Sequence, residues 1–359
     1  MSKKIGNIEI NTPPEGYKSS LKSRLIVAGI LMVTAVPTFV LGGWAYFFAI
    51  MIFLLIAIAE VIKAPRKKYN WFVYVATYGI IISFVYWMFF KGNMAQYQSL
   101  AEAGHPEDFV FSLADYYEKF EVSVIGIAAS LLIYCVVGIL DKNFGLDDIA
   151  YFFFMSLLVG LGFQAFYFIR YFPIQMAYDV PQDAVTNVTW AGLAYNRDLV
   201  GNGWFKYLGS FELLLFVFIG PIFNDIAAYF GGVYFGKHKL NERISPKKTW
   251  EGFYWGVIVG FVATAAFGLI LAATGNPVLP FLTIDKWYWI VLIALLEPLF
   301  ATIGDLSFSL IKRYYNIKDY GNILRGHGGI LDRADSIIFS SIGAVIVLVL
   351  INNGWNFLV

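Results

Sequence analysis

The stretch "GHGGILDRADSIIFSSIGAVIVLVLINNGW", residues 326–355, decides the fold. A histidine, three glycines, an arginine and two aspartates stand directly before an apolar run long enough to cross a bilayer. A hydrocarbon core about 30 Å thick needs about 20 mostly apolar residues in a helix, and the run from residue 336 meets that length. Working outward from it, the same pattern recurs near 25–41, 44–63, 71–90, 121–140, 149–169, 207–230, 252–273 and 287–308. The sequence therefore predicts an all-α, polytopic membrane protein with nine spans. Composition agrees: 59% of the 359 residues are hydrophobic, 19% aromatic and only 14% charged, too little polar surface to coat a soluble globule of this size.

The formal charge of +1 excludes an electrostatic footprint for nucleic acid. Its distribution is more informative. With the N-terminus in the cytoplasm, 20 of the 26 Lys and Arg fall on the tail and the alternate connections of that side, as the positive-inside rule requires. The C-terminus is then outside. The organisation expected is a cytoplasmic tail (1–24), an N-terminal membrane region (25–205) and a C-terminal membrane region (206–359) carrying two motif loops. The polar tail reads as preceding an uncleaved anchor, and the lone Cys135 as a packing residue. Two connections placed outside, 91–120 and 170–206, show no chemistry: His105 reads as a solvated loop residue, and the sequon at Asn187 is a pattern common by chance. Gly252, Gly256 and Gly260 give the seventh span a flat face for close packing, against a helix of this chain or of a second copy in a homodimer.

Charges inside spans are costly and point to function. Glu212 reads equally as an interfacial residue, and Glu297 as a partner for backbone groups that Pro298 leaves free. Asp225 and Asp305 differ, because each is expected at the cytoplasmic end of its span, leading into a basic loop. The first loop, "NDIAAYFGGVYFGKHKLNERISPKKTWEG" (224–252), satisfies most of a phosphate-binding G-x-x-x-x-G-K pattern. His238, however, stands where the metal-binding hydroxyl belongs and no strand precedes it, so a P-loop is rejected. What remains is a glycine-relaxed turn followed by Lys237, Lys239, Arg243, Lys247 and Lys248, with Ser245 and Thr249 as hydroxyl donors. That set suits phosphates.

The second loop, "GDLSFSLIKRYYNIKDYGNILRGHGGILDRADS" (304–336), adds carboxylates. Asp332 and Asp335 share a face of a helix beginning near Leu331. With Asp305 they make a hard-oxygen set of the kind Mg²⁺ uses together with substrate phosphates. Gly326, Gly328 and Gly329 let backbone amides approach an anion; Lys312, Arg313, Lys318, Arg325 and Arg333 supply positive charge.

The spacing of Ser309, Lys312-Arg313, Lys318-Asp319, His327-Gly328-Gly329, Asp332-Arg333 and Asp335 resembles the signature of the phosphatidate cytidylyltransferases (CDP-diacylglycerol synthases). "SPKKTWEG" (245–252) and "NDIAAYFGG" (224–232) resemble that family's upstream motifs. Arg325 and Ala334 depart from it, standing where Pro or Gly, and a larger apolar residue or Thr, are usual. The resemblance implies CTP and phosphatidic acid as substrates, membrane lipid as surroundings, and a site on the cytoplasmic face of the cell membrane. It implies metal at Asp305, Asp332 and Asp335, with Mg²⁺ expected and a second ion conceivable. Lys312, Arg313, Lys318 and Arg333 would hold phosphates, and Ser245, Lys248 and Thr249 the nucleotide. Asp225 would orient a basic residue or join the metal shell, and His327 would donate a hydrogen bond to phosphate. The acyl chains would enter a groove between the seventh span and its neighbours six and eight. The reading from another class is a secondary transporter of an anionic solute; nearer alternatives are relatives acting on another lipid, a CTP-dependent polyprenol kinase or a CDP-archaeol synthase.

Overall fold

The computed structural model describes residues 2–5, 8–11, 37–39, 43–102, 124–178, 208–275, 277–279, 281–321 and 328–352. The fold is mostly helical. Among the described residues the helices are α1 (Gly43–Lys63), α2 (Trp71–Glu102), α3 (Val124–Leu140), α4 (Leu146–Tyr178), α5 (Leu208–Phe235), α6 (Trp250–Ala273), α7 (Trp287–Tyr314) and α8 (Leu331–Asn352). Six of these are long and apolar enough to cross a membrane, within α1, α4, α5, α6, α7 and α8; the apolar parts of α2 and α3 are shorter. The expected first span, 25–41, lies almost wholly outside the described residues. So do most of the two expected outer connections, although α2 and α4 run on into them as far as Glu102 and Tyr178.

Two antiparallel hairpins interrupt the all-α expectation. β1 (Ser2–Ile5) pairs with β2 (Ile8–Asn11), and β3 (Lys239–Asn241) pairs with β4 (Ser245–Thr249) in the register Lys239↔Thr249 and Asn241↔Ser245. The second hairpin forms because Pro246 disfavours helix there, while the Asn241 side chain closes the turn by accepting from Ile244 N at 3.2 Å.

The chain divides into two compact units, residues 40–214 with 345–359 and residues 1–39 with 215–344. In the first, α1 to α4 bury a cluster of Tyr69, Tyr134, Phe144 and Phe152. One buried acid there is satisfied locally. Buried Asp148 accepts from Lys67 Nζ at 2.7 Å, Tyr69 Oη at 2.8 Å and Gly145 N at 2.9 Å.

In the second unit, glycines set the helix spacing. Gly252, Gly256 and Gly260 of α6 are buried, and a Cβ at Gly256 would lie 2.6 Å from Asn224 Oδ1, one at Gly260 2.8 Å from Gly220 O and 3.1 Å from Pro298. The flat face therefore packs on α5 and α7 of this same chain. Contacts this close leave no room for an acyl chain, so the groove expected between the seventh span and its neighbours is closed at that face. Gly231 and Gly232 are likewise not the relaxed turn the sequence suggested: both lie inside α5, where a Cβ at Gly231 would meet the Trp255 side chain at 2.6 Å. Only small residues fit that helix contact, and the turn begins at Gly236.

Candidate functional site

α5 and α7 carry Asp225 and Asp305 well inside the helices. The helices continue to Phe235 and Tyr314, roughly 14 Å beyond the acids at 1.5 Å per residue. Gly304 brings α7 against α8: a Cβ there would stand 2.6 Å from Asp335 O and 2.7 Å from Phe339. That crossing puts Asp305 beside buried Asp335. The carboxylates of Asp225, Asp305 and Asp335 are close enough to repel one another, and Lys248, Lys312 and Arg333 oppose that repulsion.

Each acid also has a neutral or cationic partner. Lys248, at the end of β4, forms an ion pair with Asp305. Ser336 Oγ donates to Asp225 Oδ2 at 3.0 Å, and Ser336 N to Asp335 Oδ1 at 2.8 Å. Ser309 Oγ reaches Asp305 Oδ1 at 3.5 Å.

Asp332 is not part of this group. Its Oδ1 accepts from Lys312 Nζ at 2.8 Å; its Oδ2 accepts from Tyr320 N at 2.7 Å and Gly329 N at 2.9 Å. Although Asp332 and Asp335 are three residues apart in the first turn of α8, one turns to the motif loop and the other to α5 and α7. Among the described residues no three Asp, Glu, His or Cys side chains form a metal-binding group, so Asp305, Asp332 and Asp335 are not gathered as a set. The reason is the Gly328 turn. At φ +83° it bends the chain so tightly that a Cβ would lie 2.8 Å from Asp332 Oδ2, and the loop amides capture that carboxylate.

Lys312 is buried between Asp332 and the Tyr320 ring, whose centroid lies 5.6 Å from Nζ. Burial first, then the charges of Asp332 and Asp335, push the Tyr320 phenol above its ordinary range, so it stays neutral. Arg313 Nε donates to Ile244 O at 3.1 Å and Nη1 to Ile317 O at 3.2 Å, tying the β3–β4 turn to the end of α7. Thr249 is buried as the cap of α6, accepting from Gly252 N at 3.2 Å. Ser245 is half-buried in β4, and Lys318 and Arg333 are exposed. His327, with Arg325 and Gly326, lies outside the described residues.

Some supporting groups were not anticipated. Glu251 accepts from Lys237 N at 3.0 Å and meets His238 Nδ1 at 2.7 Å, holding the basic hairpin to the start of α6. Ser336 and Tyr320 were in plain view in the motif, but a serine or tyrosine carries no spacing signal of its own. The site as a whole offers hard-oxygen acceptors from three helices, Asp335 buried, Asp305 half-buried and Asp225 exposed, beside lysines fixed by ion pairs and a strand, an arrangement able to bind a polyphosphate.

Comparison with known proteins agrees. The chain is 26% identical over 319 residues to the phosphatidate cytidylyltransferase of Bacillus subtilis, covering 89% of this chain and 94% of that one. It is 40% identical over 152 residues to the phosphatidate cytidylyltransferase of Mycobacterium bovis, 42% of this chain and 43% of the relative. It is 40% identical over 127 residues to that of Staphylococcus aureus strain COL, 35% and 45% of the two chains. The profile of the cytidylyltransferase family matches residues 22–351. With that match running from the first expected span through α8, the chain belongs to the cytidylyltransferase family.

Proposed function

We propose that this protein transfers CMP from CTP to phosphatidic acid, giving CDP-diacylglycerol and pyrophosphate. The observation that carries the reading is the cluster of Asp225, Asp305 and Asp335 with Lys248, Lys312 and Arg333, inside a helical unit of a chain whose family transfers cytidylyl groups. An oxygen of the lipid phosphomonoester attacks the α-phosphorus of CTP. The bond from that phosphorus to the β-bridging oxygen breaks, and pyrophosphate leaves with the electron pair. A phosphomonoester with a second pKa near 6 is already largely ionised at neutral pH, so no strong general base is required. The work of the protein is to bring two anions into line and to hold the charge that develops.

Lysines 248 and 312 with Arg333 neutralise the phosphates, aided by Arg313, Lys318 and, from the motif loop, His327. Ser245 and Thr249 lie on the strand facing the nucleotide in this reading. Asp305 and Asp335, with Asp225 beside them, suit Mg²⁺, an ion usually held by one or two carboxylates plus substrate phosphates rather than by a full protein cage. When bound, it supplies charge neutralisation on the phosphate oxygens. Asp332 holds Lys312 and the loop. The C-terminal membrane region, 206–359, carries this chemistry. Nine spans, with the N-terminus and the site on the cytoplasmic face of the cell membrane and the C-terminus outside, are supported by the distribution of Lys and Arg.

The test is purified protein in detergent with labelled CTP, phosphatidic acid and Mg²⁺. Equimolar pyrophosphate and lipid-phase CMP are expected, both abolished by EDTA. Release of CDP in place of pyrophosphate would make the enzyme a kinase, and product mass would separate diacylglycerol from ether-lipid acceptors. Neither product forming would overturn the reading.

A further inference from the structure

Below the acidic cluster the second unit contains a separate polar node. Glu297 of α7 is 1% exposed and Thr264 of α6 0%. Ser340 Oγ of α8 donates to Glu297 Oε2 at 2.8 Å, but Glu297 Oε1 and Thr264 Oγ1 have no hydrogen-bond partner among the described residues. Gly220 of α5 completes the junction: a Cβ there would meet Glu297 Cβ at 2.8 Å, Thr264 Oγ1 at 3.1 Å and Glu297 Oε2 at 3.3 Å. Four helices thus meet at one carboxyl group. None of the ion pairs among the described residues involves it.

A carboxylate in a membrane interior without a counter-charge is expensive, and so is a buried hydroxyl whose hydrogen bond is unmade. Both costs vanish if one positive charge sits among these oxygens. The backbone supplies more of them. Pro221 and Pro298 lie inside α5 and α7, and a helix-interior proline has no N–H to give the carbonyl four residues back. The carbonyls released are those of Val217 and Ala294, one turn before Gly220 and Glu297, and both residues are buried. One carboxylate, a hydroxyl and carbonyls at interrupted helices match the chemistry of an alkali-metal ion. Mg²⁺ fits poorly, because it dehydrates reluctantly and requires near-ideal octahedral geometry.

We propose that Glu297, Thr264 and the freed carbonyls of Val217 and Ala294 bind a single monovalent metal cation, sodium or potassium, at the junction of α5, α6, α7 and α8. The ion neutralises Glu297 and ties together the helices that carry Asp225, Asp305 and Asp335. It is distinct from any ion at those aspartates and does not depend on the reaction proposed above.

The test is thermal unfolding of the full chain in detergent, followed by tryptophan fluorescence, in NaCl, KCl or N-methyl-D-glucamine chloride at equal ionic strength. Wild type is expected to show a saturable rise of several degrees in sodium or potassium over N-methyl-D-glucamine, as linkage to a bound ion requires. Glu297→Gln and Thr264→Val, both close in shape to the native residues, should lose that rise. Asp305→Asn should keep it. Absence of the rise in wild type, its full retention in both node variants, or its loss in Asp305→Asn would each overturn the proposal.

Discussion

At the scale of single residues, the aspartates divide by what their oxygens already hold. Asp332 has both oxygens engaged, by Lys312 and by two loop amides, with Lys312 itself buried. Removing one partner of a buried pair leaves an uncompensated charge and costs about 3–5 kcal/mol. Asp332→Asn should therefore lower the thermal midpoint of the purified protein as well as its activity. Asp305 is more open, its side chain 29% exposed beside Lys248. Asp305→Asn should leave the midpoint within a few degrees while CMP transfer falls by about 10² or more, the scale for losing a charge-organising group. Equal loss of stability in the two variants would contradict this division. The motif's aspartates and basic residues were legible in the sequence because their types and spacing are chemical. Which aspartate serves the loop was not, because that depends on where the Gly328 turn sends two backbone amides.

At the scale of elements, the glycines of α5, α6 and α7 mark where helices touch. Gly256→Ala places a methyl 2.6 Å from Asn224 Oδ1 and 2.9 Å from Asn224 O. Overpacking of that kind costs about 1–3 kcal/mol, and Asn224 neighbours Asp225, so activity should fall with stability. Gly79 of α2 has nothing among the described residues within 4 Å of the added methyl, and Gly79→Ala should stay within about 0.5 kcal/mol. Paired melting curves check both. The four-residue glycine period was readable in the sequence as a flat face. Its partner was not, since a small-residue stripe packs equally well on a helix of the same or another chain. The β3–β4 hairpin was missed for a related reason: its lysines read as charge, and the strand pairing depends on Asn241 closing the turn and on Glu251 and Arg313 meeting the hairpin from outside.

For the whole molecule, the prediction concerns sidedness. Lys247 is exposed on β4 in the loop expected to face the cytoplasm. With Cys135, the only cysteine, replaced by serine, a Lys247→Cys variant should react with a membrane-impermeant maleimide in inverted vesicles and not in intact cells. Labelling in intact cells would reverse the orientation and with it the access of CTP to the site.

Hydrophobic run length and the bias of Lys and Arg are properties of the chain alone, since lipid and the membrane field act on each segment as it inserts. They determined a helical, multi-pass protein, and the motif spacing determined its family. Which side chains share a site was decided only by tertiary contact. Asp225 lies 80 residues from Asp305 along the sequence and 110 from Asp335; they become neighbours because glycines allow α5, α6, α7 and α8 to approach within the width of a missing methyl group. The same approach encloses Glu297 and Thr264, whose unpaired oxygens follow from how helices meet and from no local pattern.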